Sequence, residues 1–80
     1  MSNRYYAVLG FNSKKWWAYD EEEDEFINPP KEVLEEINQK GGDWRKNPDE
    51  AENYFNKLLA KEPSWLNDVN YRFSSDKLDI

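Results

Sequence analysis

Two segments near the start of the chain combine aromatic and apolar residues in the manner of β-strands. The first is RYYAVLGF, residues 4–11, and the second is KKWWAY, residues 14–19. Because only Asn12 and Ser13 separate these segments, the pattern predicts an antiparallel β-hairpin.

Six consecutive acidic residues follow the hairpin, from 20 to 25, and interrupt the apolar pattern. We interpret this acidic run as a turn or an exposed edge, because runs of like charge usually stay solvated. Phe26 and Ile27 then restore the apolar pattern briefly. They predict either a third short strand or an extended approach to the following helix.

The residue pattern in the middle of the chain predicts two helices. The first lies between Pro30 and Gly41. Asn28 is a candidate cap, the two prolines after it are tolerated in a first turn, and Gly41 and Gly42 end the helix. Its apolar residues recur at helical spacing, and they are Val33, Leu34 and Ile37.

The second helix carries the strongest signal in the sequence. Asn47 is the expected N-cap, Pro48 takes the first helical position, and Glu50 completes a capping box. Pro63 predicts an end near residues 61–62. The apolar face repeats at i, i+3, i+4, i+7 and i+8, and it consists of Ala51, Tyr54, Phe55, Leu58 and Leu59.

Beyond this helix, apolar and polar residues alternate from Val69 to Phe73, which predicts a half-buried strand. Residues 74–80 are expected to fray. The element order is then β-β-(β)-α-α-β within a single domain, residues 1–80. We therefore predict an α+β fold in which two helices pack on one face of a small antiparallel sheet of three to four strands.

The composition excludes most catalytic chemistry. The 80 residues contain no histidine and no cysteine, so imidazole bases, thiol nucleophiles, disulfides and the usual zinc sites are impossible. The acidic run also fails the calcium-loop pattern, because Glu25 stands where that loop needs glycine and Lys31 where it needs glutamate. We expect no enzymatic activity, no cofactor and no metal site.

The longest apolar run, residues 5–9, is far too short to span a bilayer, and no signal-peptide pattern is present. We therefore expect a cytoplasmic location and no membrane partner. The formal net charge of −6 is unevenly distributed, since residues 1–19 carry +3 and residues 20–62 carry −8. This charge opposes direct binding of nucleic acid and favours a basic partner.

Trp16 and Trp17 are neighbours on a predicted strand, so they point to opposite faces, and a sheet with one covered face buries only one of them. We expect the other ring to be partly exposed and to anchor a contact. The alternatives are that the chain termini, Trp44 or a second copy of the chain shields this face. Base stacking on these rings is a further alternative, which the net charge opposes.

The leading hypothesis is a non-enzymatic protein-interaction module, an inhibitor that docks an acidic surface onto the basic, nucleic-acid-binding site of a partner protein. Rows of carboxylates imitate nucleic-acid phosphates in this reading, although acids in a first helical turn also favour the helix dipole. The alternative is a structural or assembly subunit that buries an aromatic sheet face in a homodimer or a larger complex. The predicted partner-binding residues are Trp16, Trp17, Asp20, Glu21, Glu22, Glu23, Asp24, Glu25, Glu32, Glu35 and Glu36.

In size, charge and layout the chain resembles the small acidic proteins that phages make to block host nucleic-acid enzymes or defence nucleases. The shared layout is a hairpin, an acidic segment, a well-formed helix and a closing strand. The resemblance implies an inhibitor of a host protein, and no functional residue is carried over with it.

Overall fold

A computed structural model describes residues 4–78 and 80 of the chain and confirms the predicted α+β fold. Four strands form one antiparallel sheet in the order β1-β2-β3-β4, and two helices lie between β3 and β4 in the sequence. The strands and helices are β1 (Tyr5–Gly10), β2 (Lys15–Asp20), β3 (Glu25–Ile27), α1 (Lys31–Lys40), α2 (Pro48–Ala60) and β4 (Arg72–Ser74).

The predicted hairpin is β1 and β2, which pair from Tyr5 opposite Asp20 to Gly10 opposite Lys15. A Cβ atom on Gly10 would lie only 2.4 Å from Ser13 Oγ, so the missing side chain leaves room for this hydroxyl. Ser13 Oγ accepts a hydrogen bond of 2.8 Å from Trp17 Nε1. The turn of the hairpin therefore satisfies an indole N–H of its own second strand.

Both predicted helices form, and Asn47 is the N-cap residue of α2 with Pro48 at the first helical position, as predicted. Asn28 does not cap α1, because its N–H donates to Tyr71 O at 2.7 Å and its side chain accepts from Lys15, and the N-cap position falls on Pro30. The predicted capping box of α2 does not form, since Asn47 makes no side-chain cap hydrogen bond. Both helices are held instead by their apolar faces.

The core lies between the helices and one face of the sheet, as predicted. The apolar face of α2 packs there, and Ala7 N on the edge strand β1 donates to Asn56 Oδ1 of α2 at 2.8 Å. Gly41 ends α1 where a Cβ would lie 3.0 Å from Tyr54 Cβ, so its lack of a side chain lets the two helices approach. The buried core residues are Tyr5, Ala7, Trp16, Ala18, Ile27, Ile37, Ala51, Phe55, Leu59 and Leu66.

The C-terminal strand is shorter than predicted. Val69–Tyr71 form a 3₁₀ helix that Asp68 caps by accepting from Asn70 N at 3.0 Å, and only Arg72–Ser74 pair with β3. The prediction of a strand from Val69 was wrong because this local side-chain cap bends the chain. Of the segment expected to fray, Ser74 ends β4, Ser75–Lys77 form a 3₁₀ helix and residue 79 lies outside the described residues.

Candidate functional site

The acidic run forms a turn flanked by two carboxylates that serve the fold. Asp20 ends β2 and is fully buried, and its carboxylate accepts from Arg4 at 2.9 Å through each oxygen and also from Arg72. Glu25 begins β3 and lies 2.7 Å from Arg72 Nη2. The prediction that Asp20 contacts a partner was wrong, because two arginines already occupy its oxygens.

The environment of Asp20 also fixes its charge. Burial alone would raise the pKa of this carboxyl, but hydrogen bonds from Arg4, Arg72 and the backbone of Glu23 outweigh it and hold the pKa well below its usual range. Backbone N–H groups of Glu22 and Glu23 donate to Asp20 Oδ1 at 3.0 and 3.2 Å. The buried carboxylate therefore fixes the shape of the turn that follows β2.

The exposed part of the run is the turn itself, residues 21–24, which we call the acidic turn. Glu22 lies 3.6 Å from Arg4, and Asp24 accepts from the Tyr19 hydroxyl and, at 3.4 Å, from Ser75 Oγ. The side chains of Glu21 and Glu23 form no hydrogen bond or ion pair with the rest of the described chain. Four carboxylates thus face solvent at one end of the sheet.

The face of the sheet away from the helices carries a row of aromatic rings. Tyr6, Tyr19, Phe26 and Phe73 stand directly opposite one another across the four strands, and we call them the aromatic row. The ring centroids of Tyr6 and Tyr19 are 5.3 Å apart, and those of Tyr19 and Phe26 are 4.9 Å apart. Tyr6 and Phe73 are 40% and 39% exposed, and no residue of the row belongs to the core.

The acidic turn and the aromatic row meet at Tyr19. The hydrogen bond to Asp24 raises the pKa of Tyr19 to about 12, because the neighbouring carboxylate stabilises the protonated phenol. One surface therefore combines exposed rings with exposed carboxylates. Sequence reasoning missed this row, although Tyr6 and Tyr19 are brought to the same face once the predicted strands pair in the observed register.

The structure corrects the prediction for the two tryptophans, because both are buried. Trp16 is in the core and packs edge-on against Phe55, with centroids 6.3 Å apart. Trp17 lies on the open face, yet only 7% of it is exposed, because the ring of Phe73 and the ammonium of Lys15 pack against it. The exposed rings of this face are Tyr6 and Phe73 instead.

Trp44 and the acidic residues of α1 lie away from the aromatic row and the acidic turn. Trp44 does not shield the open face, since it packs against the core. The acidic residues of α1 do not join the acidic turn through any hydrogen bond or ion pair of the described residues, and α1 begins beyond the opposite end of β3. Glu32 and Glu35 are exposed, and Glu36 lies 3.8 Å from Lys40.

Within residues 4–78 and 80, no group of three or more carboxylates is arranged to hold a metal ion, and no helix is long and apolar enough to cross a membrane. No protein-family model, curated protein or solved structure gives a significant match to the chain. The function is therefore inferred from the geometry of the surface.

Proposed function

We propose that the chain is a non-enzymatic protein-interaction module that docks the acidic turn and the aromatic row onto a basic surface of a partner protein. A groove that otherwise binds nucleic acid is such a surface, and the chain would then act as its inhibitor in the cytoplasm. The observation that carries the proposal is that the aromatic row crosses all four strands and adjoins the acidic turn through Tyr19 and Asp24.

This combination suits arginine and lysine side chains. An arginine that forms an ion pair with a carboxylate of the turn can also lie over a neighbouring tyrosine ring, and rings and arginines are the commonest anchors of interfaces. The carboxylates would raise the association rate with a basic partner and make it strongly dependent on salt. The surface of α1 is not needed for this mode of binding.

A homodimer that buries the aromatic row is the alternative function, and the exposure of Tyr6 and Phe73 favours it. Each copy carries a net charge of −6, which opposes self-association at low salt. Light scattering over a range of protein concentrations distinguishes the two functions. A stable dimer that Tyr6→Ser and Phe73→Ser dissociate would support the alternative.

The test of the leading proposal is affinity capture from the native host on the immobilised chain, followed by binding measurements with each retained protein. A triple variant, Glu21→Lys, Glu22→Lys and Glu23→Lys, should abolish binding of a basic partner. The matched control is Glu32→Lys, Glu35→Lys and Glu36→Lys, which makes the same change of charge on α1 and should retain binding. Nucleic acid should compete with the chain for the partner.

Two results would contradict the proposal. One is full binding by the triple variant of the turn, and the other is binding that does not weaken between low and high salt. Both triple variants should fold, because the side chains that they change are exposed or half-buried. Circular dichroism checks this.

A further inference from the structure

A groove of about 490 Å³ lies at the end of β2 opposite the acidic turn, between the turn of the hairpin and the loop that joins α1 to α2. Cavities of this volume are typical of small-molecule sites. The residues of its wall that matter here are Lys14, Trp16, Leu34, Asn38, Trp44 and Arg45.

The buried member of this wall is Trp16, which is 4% exposed. Its indole Nε1 is buried and has no hydrogen-bond acceptor within the described part of the chain. A buried indole N–H usually finds an acceptor, and the adjacent Trp17 finds one in Ser13. The Trp16 N–H is therefore a buried donor whose acceptor is not among the described residues.

The charges of the groove are those of an anion site. Lys14 and Arg45 are exposed at its rim, and the guanidinium of Arg45 lies 5.3 Å from the centre of the Trp44 ring. Asp43, the acidic residue of the wall, already accepts from Arg45 N at 2.9 Å through its side chain. The ammonium of Lys15 is directed away, toward Asn28 and Trp17. Asp43 keeps its negative charge in this bond, so Lys14, Arg45 and Asp43 together give the groove a net positive charge in a strongly acidic protein.

We propose that this groove binds a small planar anion, an aromatic ring that carries a phosphate or carboxylate group. The Trp16 N–H donates to an acceptor of the ligand, Trp44 and Leu34 contact its ring, and Lys14 and Arg45 pair with its anionic group. Because Trp16 Nε1 is buried, side chains of the groove wall must move for the acceptor to reach it. This site is independent of the proposed function, which uses the opposite end of the sheet.

Nuclear magnetic resonance tests the site directly, because the four tryptophans give four indole N–H signals. The Trp16 signal is assigned by its loss in Trp16→Phe, and the Trp17 signal is the internal control. The probes are adenosine monophosphate and 4-hydroxybenzoate, which distinguish a nucleotide from an aromatic carboxylate. Adenosine and inorganic phosphate each carry half of the proposed chemistry.

We expect one of the two aromatic anions to shift the Trp16 and Trp44 signals and to leave that of Trp17 in place. Adenosine and phosphate should bind at least about tenfold more weakly, since each lacks a charge-assisted or a ring contact. The double variant Lys14→Ala and Arg45→Ala should lose about tenfold in affinity. Its matched control is Lys31→Ala and Lys61→Ala, two exposed lysines outside the groove that should leave binding unchanged.

The proposal is overturned if neither aromatic anion moves the Trp16 signal at about 5 mM, a concentration that detects even millimolar affinity. It is also overturned if the signals of Trp17 and Trp65 move as much as that of Trp16, or if the two double variants weaken binding equally. If Trp16→Phe fails to fold, the variants Trp17→Phe, Trp44→Phe and Trp65→Phe assign the other three signals and leave that of Trp16 by elimination, so the measurement on the native sequence still decides.

Discussion

The two ends of β2 treat their buried polar groups in opposite ways. At the C-terminal end, the carboxylate of Asp20 accepts from two arginines and two backbone N–H groups. At the N-terminal end, the indole N–H of Trp16 has no acceptor among the described residues. A buried polar group without a partner costs about 1–3 kcal/mol. The first end therefore stabilises the fold, whereas the second retains a donor that the fold does not use.

Removal of the Asp20 carboxylate at the C-terminal end of β2 should change the stability of the fold most. Asp20→Asn should lower the free energy of unfolding by about 3–5 kcal/mol, because it removes the buried anion that Arg4 and Arg72 share and leaves Arg72 with Glu25 alone. Urea denaturation measures the loss. Glu21→Gln on the acidic turn is the control and should change stability by less than about 0.5 kcal/mol. Equal effects of the two variants would show that the buried ion pairs contribute no more than a solvated charge.

Acid should weaken the same end by a smaller amount. Because the pKa of Asp20 is held below its usual range in the folded state, its contribution is complete above the unfolded pKa of about 4 and is lost as the pH falls further. The free energy of unfolding should therefore decline from about pH 4 downward. Asp20→Asn should flatten this decline, and an unchanged pH profile in that variant would assign the acid sensitivity to other carboxyls.

Ser13 provides a way to measure how much an indole N–H without an acceptor destabilises this fold. Ser13→Ala removes the acceptor of Trp17 Nε1 and should destabilise the fold by about 1–3 kcal/mol, since it leaves a second indole N–H without a partner. Thermal and urea unfolding measure the change, with Ser64→Ala, at an exposed position, as the control. No loss in Ser13→Ala would mean that an indole N–H without an acceptor costs little in this fold, and that the unpartnered N–H of Trp16 needs no ligand.

The smallest effect concerns the junction of the acidic turn and the aromatic row. Asp24→Asn should lower the pKa of Tyr19 from about 12 toward the ordinary value of about 10, with little change in the urea midpoint. Carbon-13 labelled tyrosine monitors the titration, and Tyr19→Phe identifies the signal among the five tyrosines. A Tyr19 pKa that stays near 12 in Asp24→Asn would show that burial, not the carboxylate, raises it.

Much of the fold could be predicted from the sequence because its signals are local. The hairpin, both helices and the apolar face of α2 follow from periodicity, and these patterns carry their own geometry. Asn28 failed as a cap because its backbone N–H and its side chain bond to Tyr71 and Lys15 in the tertiary structure. Asn47 takes the predicted N-cap position, but its side chain makes no cap hydrogen bond. The predicted strand does not begin at Val69, because the side chain of Asp68 caps a 3₁₀ helix there. The alternation of apolar residues had favoured a strand over this local capping signal.

The candidate site was less predictable, since it depends on distant pairs. Asp20 was assigned to the surface with its five acidic neighbours, but two arginines 16 and 52 residues away bury it. One of Trp16 and Trp17 was expected to be partly exposed, but both are buried, and Phe73 of β4 packs against Trp17. Charge and alternation do not report which side chains of remote strands meet.

Arg72 belongs to the strand that completes the sheet, and it reaches Asp20 across 52 residues of sequence. Before that strand docks, the Asp20 carboxylate has only the nearer arginine, and the outer edge of β3 has no strand beside it. The hairpin and acidic turn are thus contacts of short loops, whereas closure of the sheet waits for a long one. We therefore expect the Asp20–Arg72 ion pair to form late in folding, after the hairpin and the acidic turn.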